Sequence, residues 1–284
     1  MSVGKTLRLR RLLRKGRSLI VPLDHGLVAG PLVGIEDPVA LVKRIAQSDA
    51  DAVLLTPGVL EQVAGELGHL AVVLRVDGCS TAQTGGAMRQ FTSVAHAAEL
   101  GADAVIVNAT IGGQQESIEL LKLGQVAEDA RRSGLPVIAE MLTARMLANH
   151  MDFTGKGTAA LPGDVAEDIA LAARIGAEMG ADIIKTRYSG DEESFRRIVA
   201  STGRPVMVAG GPLRDSSLRS LLELVEHCLE AGAEGVIFGR NVWQHPRPES
   251  VLAALAAMVH DAATLEQALA VGDAIGDAAS PAYA

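Results

Sequence analysis

The chain has 284 residues, 48% of them hydrophobic, and a formal net charge of −8. This apolar content supplies one large core and excludes a disordered or fibrous chain, while the acidic balance leaves no overall basic surface to gather nucleic acid. Two distant cysteines, Cys79 and Cys228, lacking a Cys-x-x-Cys or a histidine cluster, argue against a disulfide scaffold or a zinc site.

The expected setting is a reducing cytoplasm. No charged leader runs into an apolar stretch, and no stretch is long enough to cross a bilayer, so neither a membrane nor a nucleic-acid partner is expected. From Lys5 to Arg17 basic residues alternate with Leu7, Leu9, Leu12 and Leu13, which predicts an amphipathic helix lying across one end of the fold with its charged face solvated.

A loose internal repeat follows. Ala50-Asp-Ala-Val-Leu54, Gly101-Ala-Asp-Ala-Val-Ile106, Gly180-Ala-Asp-Ile-Ile184 and Gly232-Ala-Glu-Gly-Val-Ile237 each join a helix end to a short run rich in Val and Ile, as a strand covered on both faces should be. The gaps complete eight strands, near Leu19–Leu23, Ala52–Leu55, Ala71–Arg75, Ala104–Val107, Pro136–Met141, Asp182–Lys185, Pro205–Ala209 and Gly235–Phe238. Helical spacing is clearest over Pro38–Gln47, Gln114–Arg132, Asp164–Met179, Glu193–Ser201, Ser216–Glu230 and Glu249–Val259.

Eight such units favour a single-domain (β/α)8 TIM barrel over residues 1–273, with an N-terminal helical extension and a flexible tail over 274–284. An open doubly wound sheet is the alternative, weakened because no Gly-x-Gly-x-x-Gly turn follows the first strand. The longest irregular stretch, Met146–Gly163, stands where a barrel keeps an active-site lid.

Candidate chemistry gathers at strand ends. Lys185 closes the sixth strand behind Ile183 and Ile184, where burial and nearby positive charge would favour the neutral amine that attacks a carbonyl; a snorkelling lysine or a structural ion pair fits the same position. Asp24 and His25 end the first strand, Asp24 as a proton shuttle or a turn cap, His25 as a substrate contact or a packed ring. Gly210-Gly211-Pro212 after the seventh strand and Gly239-Arg240-Asn241 after the eighth fall where barrel enzymes bind phosphate, with Arg240 adding a forked charge.

Glu140, Arg75, Asp77 and Asn108 also stand at strand ends, and Tyr188 and Asp191 follow Lys185, but a one-residue slip reverses the face each side chain takes. None of the 7 histidines forms a metal-binding pair, so no metal or cofactor is expected.

Three ordered segments, Val21-Pro-Leu-Asp-His-Gly26, Gly180-Ala-Asp-Ile-Ile-Lys-Thr-Arg-Tyr-Ser-Gly-Asp191 and Val208-Ala-Gly-Gly-Pro212 with Gly239-Arg-Asn241, resemble the class I aldolases grouped with archaeal-type fructose-bisphosphate aldolase and deoxyribose-phosphate aldolase, nearly end to end. The resemblance implies Lys185 as a Schiff-base lysine, Asp24 as an active-site carboxylate, and a phosphate grip of Gly210, Gly211, Gly239 and Arg240 on a small phosphorylated sugar or ketone. It also implies a homo-oligomer.

Within that group the likeness leans to synthases that join aspartate semialdehyde to a ketose-derived donor. The family tyrosine acid-base at the end of the fifth strand is absent: Leu142-Thr-Ala-Arg145 stands there, leaving Glu140, Tyr188 or a water held by Asp24 to replace it. Thiolase chemistry of the autoinducer-2 phosphate type and a non-catalytic phosphometabolite-binding barrel are the alternatives.

Overall fold

A computed structural model describes residues 2–83, 86–150, 165–211 and 217–278, with the backbone alone for 148–150 and 276–278. Eight parallel strands close into a barrel: β1 (Ser18–Pro22), β2 (Ala52–Leu55), β3 (Ala71–Arg75), β4 (Ala104–Ile111), β5 (Val137–Thr143), β6 (Ile183–Thr186), β7 (Val206–Ala209) and β8 (Gly235–Ile237), each paired with its sequence neighbours and β8 with β1. The (β/α)8 expectation therefore holds and the open sheet is ruled out. β4 and β5 run further than the apolar pattern suggested: Asn108 pairs in register with Glu140, and the ladder continues through Thr110 with Leu142 to Ile111 with Thr143.

Alternation sorts the side chains. Ile20, Leu54, Val73, Ile106, Ile138, Ile183, Met207 and Ile237 form a dry cluster inside the barrel, separate from the outer core beneath the helices. Two residues further along a strand lies the same face one layer up. This places Arg75 above Val73, Asn108 above Ile106, Glu140 above Ile138 and Lys185 above Ile183, all toward the carboxyl ends of the strands. The direction that was ambiguous in sequence is settled by this inner cluster.

The N-terminal helix, Val3–Leu12, closes the opposite end, with Leu12 fully buried in the inner cluster. Its charged face is not simply solvated as expected. Lys5 Nζ lies 2.8 Å from Asp182, Arg11 2.8 Å from Asp103, and Arg14 just beyond the helix 2.9 Å from Asp51. These are three acids of the internal repeat. Each also accepts a backbone N–H from the neighbouring strand: Asp51 from Leu19 at 2.7 Å, Asp103 from Val72 at 3.0 Å and Asp182 from Val137 at 2.9 Å. The repeat is thus a device for tying strand starts together.

Two further expectations change. The stretch after β5 begins with a helix, Ala144–His150, and 151–163 of the expected lid lie outside the described residues. The final helix, Leu265–Ala278, continues past the expected tail boundary at 273, and residues 279–284 lie outside the description.

Candidate active site

The inward layer at the carboxyl ends of the strands is charged. Lys185 and Glu140 are buried register partners on β6 and β5, with Nζ 2.6 Å from Glu140 Oε1. The other oxygen, Oε2, accepts from Arg75 Nη2 at 2.5 Å. The guanidinium also donates through Nε to Asp24 Oδ2 at 2.8 Å, through Nη1 to Asp77 Oδ1 at 3.2 Å, and to the side chain of Asn108. Behind this layer Lys122, from the helix Glu116–Ser133, reaches Asp77 Oδ2 at 2.6 Å and the Met88 carbonyl at 2.5 Å. Asp77 Oδ2 accepts in addition from the Asn108 backbone N–H at 2.8 Å.

Asp24, Arg75, Asp77, Asn108, Glu140 and Lys185 line a cavity of about 60 Å³ that also includes His25, Leu27, Val28 and Leu147. A second cavity of about 300 Å³ shares Leu147 as a wall and is bordered by Thr110, Gln115, Glu116 and Ala144.

Electrostatics follow from this packing. Burial alone would raise the Asp24 carboxyl, but Arg75, with His25 and Lys185, outweighs it and holds the group below the usual carboxylate range. Burial pushes the His25 imidazole down to about 4; Asp24 opposes the shift, and Arg240 and Lys185 reinforce it. The ring is therefore neutral near pH 7. Burial works against the charge on Arg75, yet Asp24, Glu140 and Asp77 raise its pKa further, so it is a fixed cation.

The loops expected to grip phosphate stand beside this layer. Gly210 follows β7, and a Cβ there would lie 2.2 Å from Asn241 Oδ1; Gly211 has φ +71, a backbone that side chains rarely adopt. A Cβ on Gly239 would lie 3.0 Å from His25 Cε1, so the loop after β8 packs directly against the loop after β1. Arg240 is buried at the start of the short helix Arg240–Trp243, and His25 meets the Trp243 ring edge to face at 5.4 Å. Pro212 lies outside the described residues.

The expected residues thus divide. Lys185, Asp24, Glu140 and His25 come together around one cavity, and Gly239 abuts His25. Tyr188 does not join them: its ring packs edge to face on Phe195 at 5.3 Å, stacks on His227 at 6.5 Å and belongs with the outer core. The strand ends at Thr186, so Tyr188 no longer follows the alternation that sets Lys185 on the inner face. Leu142, where the resemblance to class I aldolases would place a tyrosine, is buried.

Sequence reasoning gave no role to Lys122. Its signal was a charge within the apolar stripe formed by Leu123, Val126 and Ala130, where an unpaired ammonium would be costly. Asp77 and Arg75 were visible as strand-end polar residues, but their convergence required the register.

Comparison with known proteins agrees with this arrangement. Residues 18–245 match the DeoC/LacD family aldolase description. A 2-amino-3,7-dideoxy-D-threo-hept-6-ulosonate synthase of Halobacterium salinarum is 37% identical over 277 residues, spanning 97% of this chain and 98% of the relative. A 2-amino-4,5-dihydroxy-6-oxo-7-(phosphonooxy)heptanoate synthase of Streptomyces griseus is 32% identical over 280 residues, 97% of each chain.

Among solved structures, an archaeal fructose-1,6-bisphosphate aldolase with its catalytic lysine bound to the carbinolamine intermediate superimposes with a TM-score of 0.78 at 29% identity, covering 90% of this chain and 99% of the other. Barrel, ordered motifs and near full-length likeness agree: the chain belongs to the DeoC/LacD family of aldolases and is an aldolase-type enzyme.

Proposed function

We propose that Lys185 is the Schiff-base lysine of this enzyme and that the reaction joins or cleaves a carbon–carbon bond in a small phosphorylated ketone. The observation that carries this reading is the pair Lys185 Nζ and Glu140 Oε1, 2.6 Å apart above an apolar barrel floor. An ammonium must lose a proton before it can attack a carbonyl, and the Glu140 carboxylate lies within hydrogen-bond reach to take it. The amine adds to the ketone carbon to give a carbinolamine. Glu140 returns the proton to the departing hydroxyl, water leaves, and the iminium remains.

That cation withdraws electrons from the neighbouring carbon. Loss of a proton there, to a water held by Asp24, gives the enamine, which adds to an aldehyde acceptor, and the same water returns the proton to the alkoxide oxygen that this addition forms. Water then hydrolyses the new iminium and frees the lysine. Cleavage runs the same steps backward. Leu142 offers no proton where the family tyrosine would stand, and this supports the assignment of that task to Glu140.

The phosphate is bound by Gly210, Gly211, Gly239 and Arg240, with neutral His25 contributing a hydrogen bond. The names of the Halobacterium and Streptomyces relatives support a synthase, and we take aspartate semialdehyde as acceptor on that likeness. The missing phenol favours one second reading, thiolase chemistry on a similar phosphorylated substrate, which coenzyme A dependence would mark.

Borohydride added with dihydroxyacetone phosphate should leave a reduced adduct on the peptide containing Lys185, located by mass spectrometry. An unmodified Lys185 while substrate turns over would end the proposal. Glu140→Gln should lower kcat by roughly 10²- to 10³-fold, the range of a lost general acid–base group; wild-type turnover would remove Glu140 from the mechanism.

A further inference from the structure

Three carboxylates and three cations share the charged layer: Asp24, Asp77 and Glu140 against Arg75, Lys122 and Lys185. Lys122 is committed to Asp77. Asp24 and Glu140 therefore depend on Arg75 and Lys185 for their countercharge. Lys185 cannot serve throughout, because it must become a neutral amine to attack a carbonyl. A guanidinium does not lose its proton in a protein and offers five donors in a rigid fork. Arg75 spends those donors on side chains rising from several barrel strands or the loops beyond them, including both carboxylates beside Lys185.

Resting on the Schiff-base reading above, we propose that Arg75 is a positioning residue of the reaction: it supplies a fixed countercharge to Asp24 and Glu140, and the rigid fork that holds them in place, while Lys185 cycles between ammonium, amine and iminium. The charged groups that meet it are Asp24 beyond β1, Asp77 beyond β3 and Glu140 on β5, with Asn108 as a neutral acceptor on β4; one step further out stand His25 beside Asp24, Arg240 acting on His25, Lys185 beside Glu140 and Lys122 behind Asp77. His25 is already neutral near pH 7, with an imidazole pushed down to about 4. Asp24 is the carboxyl that Arg75 holds low by a direct hydrogen-bonded contact, so Asp24 is the group whose proton uptake moves when that charge is removed. With Arg75 in place Asp24 stays ionised to lower pH; without it Asp24 takes up a proton sooner.

The test compares R75Q and R75K with wild type in the pH dependence of kcat/KM and in kcat. R75Q, which removes the charge, should raise the acid limb by about one pH unit or more. R75K, which keeps a charge but loses the fork, should leave the limb near its wild-type place and lower kcat about tenfold or more. Wild-type kcat in R75K, or a slowed R75Q with an unmoved limb, overturns the role of Arg75.

If R75Q does not fold, R75K still decides through kcat, and millimolar guanidinium added to R75A should restore part of the rate and the limb; no restoration counts against the proposal. Borohydride trapping in wild type separates the two ideas. No adduct on Lys185 fells the Schiff-base reading, whereas an adduct with unmoved limb and rate in the variants fells only the part assigned to Arg75.

Discussion

The two ends of the barrel use the same residue types for different ends. At the amino-terminal end, Asp51, Asp103 and Asp182 each accept a backbone N–H and each meet a basic residue from the first helix or just after it. Those carboxylates are tied to the main chain, so their charge cannot move without breaking strand starts. At the carboxyl-terminal end, Asp24, Glu140, Arg75 and Lys185 satisfy one another chiefly through side chains around a cavity. There a proton can pass between neighbours while the backbone stays put. Charge pinned to backbone stabilises; charge shared among side chains can react.

The sharpest way to break this contrast is to remove one charge from each end. Lys185→Met should lower kcat/KM by on the order of 10⁴-fold or more, as loss of a covalent catalyst does, with thermal unfolding little changed. Asp182→Ala should do the reverse. It leaves Lys5 unpaired in a buried setting and the Val137 N–H without its acceptor, at a cost of about 3 to 5 kcal/mol in chemical denaturation, with specific activity of the folded fraction unchanged. Equal loss of activity in both variants would erase the division between the ends.

A smaller effect comes from His25. Its folded pKa of about 4 lies below the unfolded value near 6.5, so the unfolded chain binds the proton more readily. Stability from this group is full above pH 6.5 and declines as pH falls toward 4, by roughly 3 kcal/mol in all. His25→Phe should flatten that part of the stability profile measured by urea denaturation at stepped pH; an unchanged slope would show that the imidazole is charged in the folded state. The smallest effect is expected for Arg11→Ala. Arg11 is 62% exposed in its pair with Asp103, so the loss should be within about 1 kcal/mol.

Much of this was legible in sequence. The repeat acids and the Val- and Ile-rich runs after them marked the strands, since a parallel strand covered on both faces needs continuous apolar residues. Lys185 stood out because a lysine directly after Ile183 and Ile184 is costly unless something answers its charge. What answers it was not legible. Glu140 and Arg75 lie 45 and 110 residues earlier in the numbering of Lys185, and only the barrel register makes them neighbours.

Tyr188 shows the opposite case: it is close in sequence to Lys185, but the strand ends at Thr186 and its ring packs on Phe195 and His227. The basic face of the first helix read as solvated because its acidic partners are spread across three repeats.

The first helix has one more consequence. By seating Leu12 in the inner cluster it makes the barrel a blind-ended cup. Everything the proposed chemistry exchanges must then cross one rim: donor in, acceptor in, the water of dehydration out and the water of hydrolysis back. Order of arrival and departure is set by traffic at that rim, and a slow product leaving would hold back the next donor even if every bond-making step were fast.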